Sequence, residues 1–187
     1  MKNFKLLTIA LATVISFTVS GQTKKINVQK SSVNWTGKKV TGQHVGTINL
    51  KEGTLIFKGN ALKGGSFIVD MNTIVTTDLE GDYKNQLEGH LRSEDFFGVE
   101  KFKTAFLVFK KIKSTVKDQY IITADLTIKG ITKPITCTIA VKGNSAKTVL
   151  NVDRTKYGIK YGSGSFFSDL GDKTISDEFI LDINLVW

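Results

Sequence analysis

Residues 120–129 read Tyr-Ile-Ile-Thr-Ala-Asp-Leu-Thr-Ile-Lys, and this stretch decides the fold class of the chain. Its even-numbered residues are all apolar, whereas its odd-numbered residues from Thr123 to Lys129 are polar. A period of two places one set of side chains on each face of an extended chain. The stretch therefore predicts a β-strand with one buried face and one solvated face.

The same alternation recurs on the C-terminal side of this strand. After the connection at 130–134, the apolar residues Ile135, Cys137, Ile139 and Val141 alternate with mostly polar ones, and 179–187 repeat the pattern. Two alternating runs joined by a short turn favour neighbouring antiparallel strands. Weaker signals, bounded by turn residues, extend the count to about eight strands; they cover 26–36, 54–58, 66–71, 104–113 and 148–154.

Only residues 82–92 have the spacing of an amphipathic helix, with Tyr83, Leu87, His90 and Leu91 on one face. The turn at 93–97 is expected to tuck its two phenylalanines inward. Many strands and one helix are compatible with a two-sheet sandwich or a closed barrel. The alternation does not separate them, but a barrel of about eight strands is wide enough for one small ligand.

The N-terminal segment 1–21 is typical of a cleaved export signal. Lys2 and Lys5 precede an apolar run over 6–19, and small residues follow at 19–21. The alternative, a membrane anchor, is disfavoured because the run is short and diluted by Thr and Ser. We expect a mature single domain over 22–187, periplasmic or secreted. Its one cysteine, Cys137, allows no internal disulfide and is expected to be a small buried residue.

The charge is strongly positive, yet its distribution does not favour nucleic acid. The formal charge of +9 falls to +7 without Lys2 and Lys5. The lysines are scattered, and Arg92 and Arg154 are the only arginines, although arginine forks usually carry phosphate and base recognition. A solvated basic surface is the default interpretation, and transient contact with an anionic membrane surface is a secondary hypothesis.

The sequence contains no recognisable catalytic or metal-binding constellation. It has two histidines, His44 and His90, and one cysteine, without metal-ligand spacing. Nucleotide-binding glycine motifs and a serine nucleophile elbow are also missing, and 162–165 are interpreted as a loop. We therefore expect a non-enzymatic protein with no metal and no cofactor. His90 is either a structural residue or a hydrogen-bonding partner for a polar ligand head.

Taken in order, several stretches make the chain resemble the YceI family of exported, lipocalin-like polyisoprenoid-binding proteins. The most specific is His-Leu-Arg-Ser-Glu-Asp-Phe-Phe at 90–97. The chain departs from the family pattern in two places: Lys103 stands where proline is usual, and Gln29-Lys30 precede Ser31 where a His-Ser start is common. The other matching stretches are 44–47, 67–74, 101–106, 126–134 and 153–159.

This resemblance implies an all-β, eight-stranded antiparallel barrel with one short helix near its mouth and an apolar tunnel for an isoprenoid chain. A polyisoprenoid or isoprenoid quinone would then be the bound ligand, held mainly by apolar burial. The residues expected to line its site, including a lid from the helix, are Phe67, Val69, Tyr83, Leu87, Leu91, Phe106, Val108, Ile122, Leu126, Ile139 and Leu181.

The loop at 155–174, which contains Phe166, is expected to form an adaptable mouth or a membrane-touching tip. His90, Arg92 and Arg154 are candidate partners for a phosphate or quinone head. The chief alternative is a non-catalytic stress-response or partner-binding module whose barrel is filled by its own side chains. An enzyme acting on the lipid ranks below both, and the oligomeric state, including a homodimer, stays open.

Overall fold

The computed structural model describes residues 21–116 and 118–187. The predicted signal segment therefore lies outside the described residues except for Gly21. The described elements are β1 (Gln22–Lys25), β2 (Ser32–Lys39), β3 (Gly42–Lys58), β4 (Ala61–Thr76), α1 (Gly81–Arg92), β5 (Thr104–Ser114), β6 (Gln119–Ile128), β7 (Ile131–Lys142), β8 (Ser145–Asp153) and β9 (Ile175–Val186), with 3₁₀ turns at Arg154–Tyr157 and Gly171–Lys173.

Strands β2 to β9 form a closed antiparallel barrel of eight strands. Each strand pairs with the next along the chain, and β9 pairs back with β2 to close the ring. β1 pairs with β3 at Thr54–Phe57, beyond the part of β3 that β2 covers. β1 and β2 therefore share one edge of β3. The expected lipocalin-like barrel with a single α-helix among the described residues is confirmed, and the sandwich alternative is not adopted.

Strand β6, which decides the fold class, buries the face that its alternation predicts. Tyr120, Ile122, Ala124, Leu126 and Ile128 are all buried in the barrel interior. Lys129 and Gly130 then both adopt positive φ angles of 50° and 72°, so the chain reverses tightly into β7. Alternation and turn chemistry act together at this hairpin, because the turn fixes which residues face each other.

One end of the barrel interior is filled by its own side chains. Leu55, Leu62, Ile122 and Ile139 are between 0% and 1% exposed there. Two aromatic pairs close the same end: Phe67 with Phe109, whose ring centroids are 5.6 Å apart, and Phe57 with the C-terminal Trp187 at 5.7 Å. Because this end is closely packed, a ligand can occupy only the opposite end of the barrel interior.

The strand boundaries differ most from prediction in β3 and β4. The sequence predicts strands over 54–58 and 66–71, whereas β3 and β4 are 17 and 16 residues long and pair with each other over most of their length. Register shifts at Thr47/Asn49, Leu50/Glu52 and Ile56/Phe57 interrupt the pairing. Each shift breaks the period of two, which hides the strand from a pattern search.

Candidate functional site

An apolar cavity of about 130 Å³ occupies the end of the barrel opposite the packed half. A water molecule needs roughly 10–15 Å³ of such volume, so the cavity has room for about ten. Its wall is almost wholly apolar, a property typical of sites for hydrophobic ligands. The apolar side chains that line it are Val33, Trp35, Ile48, Val69, Met71, Ile74, Leu91, Phe96, Phe97, Ala105, Leu126, Ile128, Ile175, Phe179 and Leu181.

Trp35 is the largest side chain in this wall, and two features hold it in place. Its indole Nε1–H donates a hydrogen bond to the carbonyl oxygen of Val75, over 3.1 Å. The ring lies directly over Gly46, where a Cβ atom would clash with the ring and with the Val75 carbonyl oxygen. Glycine at 46 therefore lets a large ring lie close against β3, where it forms part of the cavity wall.

Helix α1 covers the cavity through Leu91, which is 8% exposed. Two polar contacts attach the helix to β4. The Glu88 carboxylate accepts a hydrogen bond from the backbone N–H of Thr76, over 3.0 Å, and Arg92 donates to the carbonyl oxygen of Ile74, over 2.7 Å. Glu88 and Arg92 also approach each other at 3.4 Å. The lid is thus fixed by a buried carboxylate as well as by apolar contact.

The turn after the helix supplies two further cavity residues, whose inward orientation is the one that the sequence predicts. Phe96 and Phe97 are buried, and their ring centroids lie 5.3 Å apart. Phe97 in turn makes an edge-to-face contact with Phe179 of β9, at 6.1 Å. These aromatic contacts connect the segment after α1 to strand β9.

The cavity reaches the surface where the pairing of β2 with β9 is irregular. Gly37 faces Phe179, but two residues later Lys39 faces Ile175, so β9 carries two extra residues in this interval. The side chains at this irregularity that line the cavity include the exposed Lys38 and Glu178. We call this opening the mouth.

Arg154 holds the rim of the mouth together from inside. It is 1% exposed, and its guanidinium donates hydrogen bonds to the carbonyl oxygens of Ser176, Ile159, Tyr161 and Ile175, over 2.8 to 3.0 Å. Burial lowers the pKa of Arg154 below its ordinary value, and the charges of Asp177 and Asp153 oppose this shift. An arginine nevertheless stays protonated. Because these hydrogen bonds occupy its donors, the burial of Arg154 is explained without a ligand head group.

His90 lies beside the rim but does not line the cavity. Its ring makes edge-to-face contacts with Tyr161 and Phe96, at centroid distances of 4.4 and 5.5 Å. Its Nε2 atom is buried and has no hydrogen-bond partner among the described residues. The contacts give His90 a packing role, and its predicted role toward a ligand head stays a prediction.

The structure brings five of the predicted site residues together around the cavity, and places three others in the packed half. Phe67, Ile122 and Ile139 are buried in that half and do not line the cavity. Leu87 packs partly buried against the core without reaching the cavity lining. The five that line it are Val69, Leu91, Leu126, Arg154 and Leu181.

Four predicted site residues are exposed on the surface. The inward orientation expected for Phe106 and Val108 is wrong: they are 38% and 43% exposed on the outer face of β5, because Ala105 takes the cavity side. Tyr83 is 76% exposed, so it is not part of the lid; the buried Glu88 occupies the face of α1 toward β4. Phe166 is 48% exposed on the loop before β9.

Several wall residues are not predicted by the sequence pattern, above all Trp35, Met71, Ile74 and Ala105. A signal for two of them was present. Continuing the alternation of Phe67 and Val69 leads to Met71, and Val33 and Trp35 are two residues apart on one strand face. Ile74 could not be found this way, because a register shift in the β3–β4 pairing precedes it.

The described residues contain no group of three or more His, Cys, Asp or Glu side chains that could hold a metal ion. Nor does any helix in the described ranges have the length and apolarity to cross a membrane. Cys137 is partly buried; burial raises the pKa of its thiol, while a hydrogen bond with Thr148 acts in the opposite direction. A raised pKa keeps a thiol protonated and poorly nucleophilic.

Fold and cavity together define the class: a lipocalin-like closed barrel with an apolar internal site. The model of the YceI-like domain matches residues 13–187, and the chain belongs to this family. Among curated relatives, a UPF0312 protein of Photorhabdus laumondii is 29% identical over 115 residues, which are 59% of this chain and 58% of that protein. A UPF0312 protein of Pseudomonas fluorescens is 35% identical over 83 residues, 38% of this chain and 42% of that protein. The matches thus span about half of these relatives' length.

Solved structures share the fold at low sequence identity. BcnA of Burkholderia cenocepacia superposes with a TM-score of 0.67 at 21% identity, over 87% of this chain and 99% of that one. A polyisoprenoid binding domain from Saccharophagus degradans gives a TM-score of 0.56 at 12% identity, over 86% and 95% of the two chains. A YCEI protein of Campylobacter jejuni gives 0.51 at 14% identity, over 98% and 97%. These likenesses establish the barrel fold.

Proposed function

We propose that this protein is an exported, non-catalytic carrier or sequestering protein that binds a long apolar lipid, a polyisoprenoid or isoprenoid quinone, inside its barrel. The observation that carries the proposal is the apolar cavity at one end of the closed barrel, which reaches the surface between β2 and β9. Membership of the YceI-like family and a fold shared with a polyisoprenoid binding domain support the same ligand class.

Apolar burial supplies the affinity in this proposal. Removing ~300 Å² of prenyl chain from water is worth roughly 7 kcal/mol before the costs of binding are subtracted. The wall offers almost no polar partner, and the donors of Arg154, a buried charged residue that lines the cavity, are engaged by the chain. A neutral hydrocarbon chain suits such a wall better than a carboxylate, which would be buried without a partner.

The packed half of the barrel limits how deep a chain can enter. Because Leu55, Leu62, Ile122 and Ile139 fill that half, the cavity accepts one end of a long chain. The remainder would then extend through the mouth beside Lys38 and Glu178. The proposal therefore has the ligand enter tail first, with its head and the outer part of its chain at the rim.

Export and membrane contact are part of the same proposal. The predicted cleavage after Gly21 would leave Gln22, the first residue of β1, at the start of the mature chain, so cleavage would remove no strand. A carrier in the periplasm or outside the cell would load and unload at a bilayer. Nucleic acid is not among its proposed partners.

The test uses Trp35 as a reporter, since the chain has only two tryptophans and Trp35 lines the cavity. In a Trp187→Phe background, titration with geranylgeraniol should change the fluorescence of Trp35 in a saturable manner. The matched variant Trp35→Phe, which keeps Trp187 in the packed half, should respond weakly. Equal responses of the two variants, or no saturable change, would contradict binding in the cavity and favour a self-filled barrel.

A further inference from the structure

A group of exposed apolar side chains lies on two segments beside the mouth. On the loop between β8 and β9, Tyr161, Phe166 and Phe167 are 49%, 48% and 50% exposed, and Val40 in the β2–β3 turn is 67% exposed. The two segments are adjacent, because the backbone N–H of Val40 donates to the carbonyl oxygen of Thr174, over 3.1 Å. We call Val40, Tyr161, Phe166 and Phe167 the rim patch.

Several lysines lie on the same segments as the rim patch. Lys38 and Lys39 precede Val40, and Lys173 lies at the end of the same loop; all are exposed. Lys160 places its Nζ 4.6 Å from the centroid of the Phe166 ring. Carboxylates are present too, at Asp169, Asp172 and Glu178, so the local positive charge is modest; the formal charge of the mature chain, +7 after loss of Lys2 and Lys5, reinforces it.

The rim patch meets the cavity at Ile175. A surface groove lined by Lys39, Tyr161, Phe167 and Leu170 also includes Ile175. Ile175 lines the cavity as well, next to Lys38. The groove and the cavity therefore share a lining residue, and a lipid moving between them would pass Ile175.

We propose that the rim patch docks this protein on the surface of an anionic bilayer, with the mouth facing the lipid. Aromatic side chains favour the boundary between headgroups and acyl chains, and neighbouring lysines are attracted to anionic headgroups. Charge complementarity and the shared groove both favour a bilayer as the occupant. The inference rests on the proposed lipid-binding function and names the partner from which the lipid is collected.

The first test measures binding of the full chain to vesicles of phosphatidylglycerol and phosphatidylcholine by sedimentation. The variant Phe166→Ser/Phe167→Ser should bind at least ~10-fold more weakly, because it loses apolar area at the interface. Phe106→Ser/Val108→Ser is the matched control, since these residues are similarly exposed on the barrel wall. It should retain binding within about twofold. All variants share one N terminus, so any leader contributes equally.

The second test changes only charge. Lys39→Gln/Lys160→Gln/Lys173→Gln should weaken vesicle binding by about fivefold per lysine at low salt, with the difference shrinking as salt is added. The control Lys111→Gln/Lys113→Gln/Lys147→Gln removes the same charge elsewhere and should have a clearly smaller effect. Vesicles of phosphatidylcholine alone should bind all variants weakly.

Three outcomes would overturn the proposal: no vesicle binding by the unmodified protein, equal losses in patch and control variants, or a patch variant that changes oligomeric state on size-exclusion chromatography while vesicle binding is unaffected. The last outcome would assign the rim patch to a protein interface. Vesicle binding does not require a lipid inside the barrel. Failure of the vesicle tests would therefore not change the result expected from the Trp35 titration. Failure of the Trp35 titration would likewise not change the result expected from the vesicle tests.

Discussion

The indole of Trp35 on β2 is hydrogen-bonded to the carbonyl oxygen of Val75 on β4, over 3.1 Å, across the intervening strand β3. Gly46 of β3 makes this contact achievable, because any larger residue would occupy the space of the ring. One side chain thereby links three strands and forms part of the cavity wall. The shape of the site depends on a position that has no side chain.

Gly46→Ala should accordingly destabilise the barrel by about 1–3 kcal/mol, since the added methyl group forces Trp35 or β4 to shift. Urea unfolding measures the change, and Trp35 fluorescence reports the displacement. Gly37→Ala is the control, because a Cβ at 37 meets nothing within 4 Å. Equal stability of the two variants would show that the ring does not need the glycine.

Ala105→Leu should fill the cavity, because Ala105 is 7% exposed and lines it. Lipid binding should fall strongly, whereas stability should change little or rise, since the new side chain occupies empty space. Ala146→Leu is the comparison, because Ala146 is 1% exposed in β8 and lies outside the cavity lining. Overpacking should lower the unfolding free energy of this variant by about 1–3 kcal/mol. If both variants lost stability and neither lost lipid, the cavity would not be the binding site.

How far the sequence predicts this site depends on how cleanly each strand alternates. In β6 only one face is continuously apolar, so Leu126 was correctly placed inside. In β5 the run Ala105-Phe-Leu-Val-Phe109 is apolar on both faces, and a period of two cannot choose between them. The pairing of Val69 with Ala105 sets the register, and this places Ala105 rather than Phe106 toward the cavity.

The details of the lid and the mouth could not be predicted from the sequence, because both depend on contacts between segments that are distant in the chain. Glu88 is buried because its carboxylate satisfies the N–H of Thr76, a partner 12 positions away that helical periodicity does not include. The mouth arises from a mismatch between β2 and β9 that no single segment encodes. The helix itself and the inward turn of Phe96 and Phe97 were predictable, since both follow from local pattern.

Glu88→Ala should loosen the lid. Removing the carboxylate leaves the Thr76 N–H, in a residue that is 0% exposed, without its partner, at a cost of about 1–3 kcal/mol. Hydrogen exchange of the α1 amides should accelerate more than that of the barrel strands. Gln86→Ala, an exposed position on the same helix, is the control. Unchanged exchange in Glu88→Ala would mean that apolar contact alone holds the helix.

Asp78 is expected to make stability depend on acid pH. Burial opposes its ionisation, but hydrogen bonds from Thr76, His44 and the backbone N–H of Val45 outweigh burial and lower its pKa below the ordinary 3.8. A lowered folded-state pKa stabilises the fold above the unfolded value, and this contribution disappears as the pH falls through the folded one.

Asp78→Asn should therefore lower the unfolding free energy at pH 6, by more than at pH 3, and flatten the pH dependence between these values. His44→Ala, which removes one of the hydrogen bonds to Asp78, should reproduce part of the loss at pH 6. Chemical denaturation at the two pH values measures both variants. A destabilisation by Asp78→Asn that is the same at both pH values would contradict the assigned role.

The most direct test of the lipid-binding account is the mass of what the protein carries when purified without detergent from its native host. Organic extraction followed by mass spectrometry should release a near-stoichiometric prenyl lipid or isoprenoid quinone. The Ala105→Leu variant, prepared in parallel, should yield much less of it. A repeatedly empty extract from the unmodified protein, or equal yields from both, would contradict a barrel that binds lipid in its cavity.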